Sequence, residues 1–141
     1  MEEEFIHRRP PKSSGTDYFN IKWINEILKQ FDFPINDTDI QRTLAEFTAI
    51  IIARAIENFS DIDQIAICGG GVENTFLMKL IREKTSSKIV KTDSWGMNHE
   101  WVEAAGFAYL AYLRVNNISV DTSTITGSTG KIYLGNIKNP N

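Results

Sequence analysis

The feature that most constrains the fold of this chain is a short apolar run that ends in three consecutive glycines. The run "IDQIAIC" covers Ile62–Cys68, and Gly69–Gly71 follow it directly. A near-continuous, Ile-rich run bounded by Gly predicts a buried strand of a parallel sheet. Asn74 is a favoured N-cap residue, so we expect "NTFLMKLIREKTS" to form a helix immediately after the turn.

A second strand, "SKIVKTD", follows that helix, and longer helices are predicted on both sides. Strand–helix–strand order with short joints predicts a parallel pair with a right-handed crossover. The fold class is therefore α/β, with a small parallel sheet and long flanking helices. "KIYLGNI" is predicted to be a last short strand or an extended tail, after a Ser/Thr/Gly-rich loop.

Three further helices are predicted from apolar spacing and capping residues. "DYFNIKWINEILKQF" has an apolar residue at every fourth position, and "NHEWVEAAGFAYLAYLRV" is expected to be capped by Asn98. Thr38 and Gln41 match a capping box for a helix that extends to about Phe59. The expected apolar stripe of that helix is Ile40, Leu44, Phe47, Ile51 and Ala55.

Composition restricts the classes of protein to which the chain can belong. Its 141 residues suit one domain, with residues 1–16 as a coil or connection and residues 17–141 as the folded segment. The net charge of −3 disfavours nucleic acid as a partner. A single Cys and two His give no disulfide framework or structural zinc site and suit a reducing compartment. No membrane-length apolar run or secretory signal is found, so we expect no membrane partner and a cytoplasmic location.

The glycine turn has several interpretations from its residues alone. It can be a plain tight connection, although three consecutive glycines exceed what a turn needs. A strict Walker A loop is excluded because no Gly-Lys-Ser/Thr follows. A Rossmann fingerprint fits Gly69 and Gly71 but has Asn74 at its third position, with Asp93 about 20 residues further on. The turn is also similar to the adenosine-binding turn of actin-like ATPases and sugar kinases.

Motifs along the chain resemble those of the anhydro-N-acetylmuramic acid kinases. "RPPKSSGTDYFN" is similar to their Pro-Pro-Lys-Ser-Thr-Gly segment, and "DIQRTLAEFTAIIIARAI" to their long helix. "ICGGGVENTFLM" resembles their Cys-Gly-Gly-Gly-x-x-Asn turn. "KTDSWGMNHEWVEAAGFAYLA" resembles their Thr-Thr-Asp…Glu-Ala…Phe-Ala block, and "STITGSTGKIYLG" their closing segment. The motifs occur in the family's order over nearly the whole chain.

The resemblance implies the C-terminal portion of a two-lobed, actin-like kinase with an RNase H-like core in each lobe. Such an enzyme transfers the γ-phosphate of ATP to the sugar O6 while water opens the 1,6-anhydro ring, in cell-wall peptidoglycan recycling. The family's phosphate loop and its catalytic Asp segment have no counterpart in these residues. The resemblance therefore leaves the activity of the chain alone uncertain, and makes an N-terminal lobe an expected partner.

The resemblance also implies roles for individual residues. Gly69, Gly70, Gly71 and Asn74 are expected to bind the adenosine of ATP, and Mg²⁺ is expected to find its ligands mainly outside this chain. Glu103 is expected to bind hydroxyls of the anhydro amino sugar, with Glu100 as a second candidate.

Several assignments stay open. The roles of Lys12 and Asp93 are undecided, His99 is expected to pair with Glu103 on the surface, and Cys68 is expected to be buried beneath the turn. A non-catalytic nucleotide-binding remnant and a Rossmann-like NAD-binding fragment stay as alternatives, and a homodimer is left open.

Overall fold

The structure is a computed structural model that describes residues 3–138. The elements in chain order are α1 (Glu4–His7), α2 (Ile21–Leu28), α3 (Asp37–Ile56), β1 (Gln64–Ile67), α4 (Thr75–Lys84), β2 (Lys88–Lys91), α5 (Val102–Val115), β3 (Val120–Asp121), α6 (Ser123–Thr126) and β4 (Lys131–Ile132). Two compact units are formed, one by Asn36–Phe107 and one by the described residues of Met1–Ile35 and Ala108–Asn141. None of the described helices combines the length and the apolarity needed to cross a membrane.

The Asn36–Phe107 unit is built on a pair of parallel strands. β1 pairs with β2 so that Gln64 lies opposite Lys88 and Ile67 lies opposite Lys91. This pairing confirms the predicted strand–helix–strand order and the α/β class. The hydrogen-bonded ladder is four residues long, shorter than the two runs from which the strands were predicted.

The core of this unit lies where α3 and α4 pack on the strand pair. Ile81 is 1% exposed and Ala49 is fully buried, so both are completely removed from water. Partly buried apolar residues surround them: Ala45, Ile52, Ile67, Leu77 and Ile89, with Met78 and Leu80 completing the buried set. Apolar side chains from two helices and two strands thus share one core.

The buried face of α3 differs from the predicted stripe. Ala49 and Ala53 are its buried residues, whereas Ala55, one of the predicted set, is exposed. Small alanine side chains at a helix contact allow the neighbouring helix to approach closely, because interaxial distance depends on the residues at the contact. The larger isoleucines beside this face are only partly buried.

Helix starts also differ from those predicted from capping patterns. The side-chain oxygen of Asn36 accepts the N–H of Asp39 at 2.8 Å, so Asn36 caps α3 and the capping box of Thr38 is wrong. Asn20 caps α2 through the N–H groups of Lys22 and Trp23. α5 begins at Val102, so the predicted capping by Asn98 is wrong, and the Asn98 side chain instead accepts the N–H of Glu100 in a turn ahead of the helix.

The second unit combines a short hairpin with an aromatic cluster. β3 and β4 pair antiparallel, with Val120 opposite Ile132, and β3 and α6 lie in the segment predicted to be loop. α1 is one helical turn within the residues predicted to be coil. Phe5 packs edge-on against Phe19 in the cluster.

Lys12 belongs to the packing of this second unit. Its Nζ donates hydrogen bonds to the carbonyls of Phe5 (3.0 Å) and Ile6 (3.1 Å). The ammonium group also lies 5.0 Å from the centre of the Phe5 ring. These contacts give Lys12 a structural role in fixing α1.

Candidate functional site

The glycine turn lies at the carboxyl end of β1, where the chain turns into α4. Gly69 has a φ of +81° and a ψ of 174°, a positive-φ extended conformation that is essentially restricted to glycine. A 3-10 turn over Gly70–Glu73 follows, and the N–H of Val72 donates to the Gly69 carbonyl at 3.1 Å. Val72 is 3% exposed and anchors the turn in the unit.

The outer side of the turn presents bare backbone to open space. Apart from the adjoining backbone, a Cβ built on Gly69 or Gly70 would have no heavy atom within 4 Å, and one on Gly71 would meet only Leu77, at 3.9 Å. Packing within the described protein therefore does not require glycine at Gly70. Backbone without side chains next to free space permits the close approach of a ligand.

Asn74 connects the turn to α4 as its N-cap, as predicted. Its side-chain oxygen accepts the N–H of Leu77 at 3.0 Å, and its own N–H donates to the Gly71 carbonyl at 3.1 Å. The capping bond occupies the side-chain oxygen. The NH₂ group is the part of Asn74 that would donate to a ligand at the turn.

Four charged or titratable side chains surround the turn. Lys91 Nζ lies 2.7 Å from Glu73 Oε1, and His99 Nδ1 lies 2.8 Å from Asp93 Oδ2. His99 Nε2 lies 3.1 Å from the same oxygen of Glu73, although it is not aligned as a hydrogen bond. The His99 carbonyl accepts the N–H of Gly69 at 2.9 Å. The expected pairing of His99 with Glu103 is therefore wrong, since its ring contacts Asp93 and Glu73.

Both carboxylates of this group titrate below their usual range. The hydrogen bond and positive charge of Lys91 hold the pKa of Glu73 below its ordinary value. Partial desolvation alone would raise the pKa of Asp93, but hydrogen bonds from His99 and the backbone, with the charge of His99, outweigh it and leave the pKa lowered.

These shifts predict a stability that decreases in acid. When the folded-state pKa is below the unfolded value, the unfolded chain binds more protons, so stability falls as pH falls through the carboxylate range. We expect the urea midpoint of the chain to decrease below about pH 4.5, and less steeply in Glu73→Gln and Lys91→Met. Acid dependence equal to wild type in both variants would contradict the assigned cause.

The sequence comparisons identify the family. The chain matches the family model described as anhydro-N-acetylmuramic acid kinase over residues 1–140. The chain belongs to the anhydro-N-acetylmuramic acid kinase family. Relatives named anhydro-N-acetylmuramic acid kinase include those of Mannheimia succiniciproducens (36% identical, 96% of this chain and 38% of the relative), Vibrio vulnificus YJ016 (32%; 96% and 37%) and Saccharophagus degradans (35%; 92% and 35%).

The chain spans little more than a third of the length of these anhydro-N-acetylmuramic acid kinases. The match nevertheless extends across both compact units. The family relationship therefore applies to the described fold as a whole.

The two glutamates suggested by the likeness to these kinases occupy different local structures. Glu103 lies in the first turn of α5 and is exposed. Glu100 lies in the turn before the helix and is also exposed. No group of three or more His, Cys, Asp or Glu side chains in residues 3–138 is arranged to hold a metal ion.

The structure changes the interpretation of two residues near the glycine turn, Asp93 and Cys68. Asp93 Oδ2 is hydrogen-bonded to His99 Nδ1, a contact that the Rossmann interpretation did not include. Cys68 is exposed, in contrast to its predicted burial. Successive strand residues face opposite sides, and Ile67 packs on the core, which leaves the next residue on the other side.

The Glu73–Lys91–His99 group was not foreseen from the sequence. Glu73 and Lys91 are 18 positions apart, and no local motif joins them. The sequence contained only an indirect indication that these side chains meet. The turn after β1 and the end of β2 must lie side by side in a parallel pair, so charged residues at both positions can meet.

Proposed function

We propose that this chain forms the adenosine side of the ATP site in an anhydro-N-acetylmuramic acid kinase. Gly69, Gly70 and Gly71 would pack against adenine and ribose, and the Asn74 amide would add a polar contact. The observation that carries this proposal is the open space above Gly69 and Gly70, where no heavy atom beyond the adjoining backbone lies within 4 Å of a Cβ position. The α/β arrangement is then part of an actin-like lobe with an RNase H-like core, located in the cytoplasm.

The reaction of the complete kinase would join phosphoryl transfer to ring opening. The oxygen of water bonds to C1 of 1,6-anhydro-N-acetylmuramic acid, the C1–O6 bond breaks, and O6 bonds to the γ-phosphorus while ADP leaves. A carboxylate takes the proton of the water. ATP would supply the phosphoryl group, and Mg²⁺, when bound, would supply positive charge to its phosphates alongside backbone amides. That carboxylate and most Mg²⁺ ligands would come from residues outside this chain.

The sugar would lie near the start of α5 in this proposal. Glu103 is exposed in the first helical turn, where its carboxylate can accept hydrogen bonds from sugar hydroxyls. Glu100 is exposed in the preceding turn and is a second acceptor for the same hydroxyls. Carboxylates suit this purpose because an ionised carboxylate only accepts, and sugar hydroxyls supply donors.

Kinase reconstitution tests the proposed function. The chain is incubated with ATP, Mg²⁺ and 1,6-anhydro-N-acetylmuramic acid, alone and with the part of the Mannheimia succiniciproducens relative outside the matched region. We expect N-acetylmuramic acid 6-phosphate, detected by mass spectrometry, only in the mixture. A mass gain of one phosphoryl group (HPO₃) and one water distinguishes the coupled reaction from simple phosphorylation, which adds the phosphoryl group alone.

Other results would overturn parts of this proposal. Product from the chain alone would show that the base lies within these residues. Absence of product from the mixture, together with no ATP binding by the chain, would remove the kinase assignment. Tighter binding of NAD than of ATP would favour the Rossmann interpretation in its place.

A further inference from the structure

One residue contacts both ends of the glycine turn. The main-chain carbonyl of His99 accepts the N–H of Gly69 at 2.9 Å, where the turn begins. Its ring Nε2 lies 3.1 Å from Glu73 Oε1, where the turn ends. The His99 side chain is only 12% exposed, although Glu73 is largely in water.

The ring of His99 is fixed from its other nitrogen. Nδ1 lies 2.8 Å from Asp93 Oδ2, and Asp93 belongs to the 3-10 turn Thr92–Trp95 that follows β2. Lys91, the last residue of β2, also pairs with Glu73 at 2.7 Å. The segment after β2 is therefore attached to the turn after β1 at more than one point.

The two contacts of the ring are unequal. The Nδ1–Asp93 contact has the distance and alignment of a hydrogen bond, whereas Nε2 has no aligned partner among the described residues despite its closeness to Glu73. The Nδ1 side should therefore be the stronger attachment. A hydrogen bond to a charged group contributes more than a neutral one and loses more when its donor is removed.

We propose that His99 is a positioning residue for the Gly69–Gly71 turn. Anchored by Asp93, its ring holds the main-chain carbonyl of the same residue against the Gly69 N–H. That bond fixes Gly69 in its positive-φ extended conformation and keeps the face above Gly70 open. Only the further statement, that this geometry supports ATP binding, rests on the proposed function.

Substitutions at His99 distinguish the contributions of its two ring nitrogens. The amide of asparagine places an N–H donor near the position of Nδ1, whereas glutamine places one near Nε2. His7, the other histidine of the chain, is exposed in α1, and His7→Asn is the matched control. The set is His99→Ala, His99→Asn, His99→Gln and His7→Asn, each made in the full 141-residue chain.

The first measurement needs no nucleotide. Hydrogen exchange of the Gly69 amide, followed by NMR on ¹⁵N-labelled chain, reports the bond to the His99 carbonyl. We expect exchange about tenfold faster in His99→Ala and His99→Gln, since about one hydrogen bond's stabilisation is lost. His99→Asn and His7→Asn should stay within about twofold of wild type. Unchanged exchange in His99→Ala, or equal loss in the Asn and Gln variants, would overturn the proposal.

The second measurement is the Kd for ATP of the same proteins. We expect binding about five- to tenfold weaker in His99→Ala and His99→Gln, with His99→Asn close to wild type. Faster Gly69 exchange without weaker ATP binding would overturn the link to the ligand. No ATP binding by wild type would instead count against the proposed function, while the exchange data still decide the positioning role. Where His99→Ala does not fold, the Asn and Gln pair decides alone.

Discussion

Replacing Gly70 with valine is expected to weaken ATP binding by about 30-fold or more, while the chain stays folded. The isopropyl group would enter the space above the turn that the proposed adenosine occupies, and a contact worth ~2 kcal/mol corresponds to that factor. The free energy of unfolding should change little, because Gly70 lacks a positive φ and no atom lies within 4 Å of its Cβ position. Isothermal titration with ATP and urea denaturation measure the two quantities.

Two other glycines provide the controls for this substitution. Gly106→Val, in α5, introduces the same side chain where nothing lies within 4 Å, and it should leave ATP affinity unchanged. Gly69→Val should instead lower the free energy of unfolding by ~1–3 kcal/mol, because a residue with a Cβ is strained at a φ of +81° and a ψ of 174°. Unaltered ATP affinity in Gly70→Val would place the nucleotide elsewhere.

Replacing Ile81 with alanine is expected to lower the free energy of unfolding by about 2–5 kcal/mol. Ile81 is 1% exposed and belongs to the core shared by α3, α4 and the strand pair. Truncation removes buried apolar surface and leaves a cavity among side chains from several elements. For a domain of marginal stability, this loss is a large part of the total free energy of unfolding.

A substitution at an exposed residue of the same helix shows how much of the destabilisation comes from lost core packing and how much from placing alanine in the helix. The Lys79 side chain is 67% exposed, so Lys79→Ala should change the free energy of unfolding by no more than about 0.5 kcal/mol. Urea denaturation followed by circular dichroism gives both values. A loss below about 1 kcal/mol in Ile81→Ala would mean that α4 does not form the centre of the core.

The strand, glycine turn and helix around Gly69–Gly71 could be predicted because their signals are local. An Ile-rich run, a glycine stretch and Asn74 each favour one conformation, and the parallel pair follows from their order. Asn74 caps α4 as predicted for the same reason. Family motifs gave the kinase relationship, which the comparisons confirm.

Features could not be predicted where neighbouring residues compete for one role, or where residues far apart in the sequence meet only after folding. Asn36 and Thr38 are both good N-caps, and the structure uses Asn36. The choice of Ala49 and Ala53 as the buried face of α3 depends on how closely α4 packs. The contacts of His99 with Asp93 and Glu73 depend on where separate turns meet after folding, so no spacing rule reveals them.

The exposure of Cys68 has a practical consequence for studying the turn. It is the sole cysteine of the chain, it is exposed, and it directly precedes Gly69. A maleimide dye would therefore attach at a single position, one residue from the turn, with no other thiol to remove by mutation. Fluorescence from that position gives an optical reporter of ligand arrival that leaves every glycine of the turn in place.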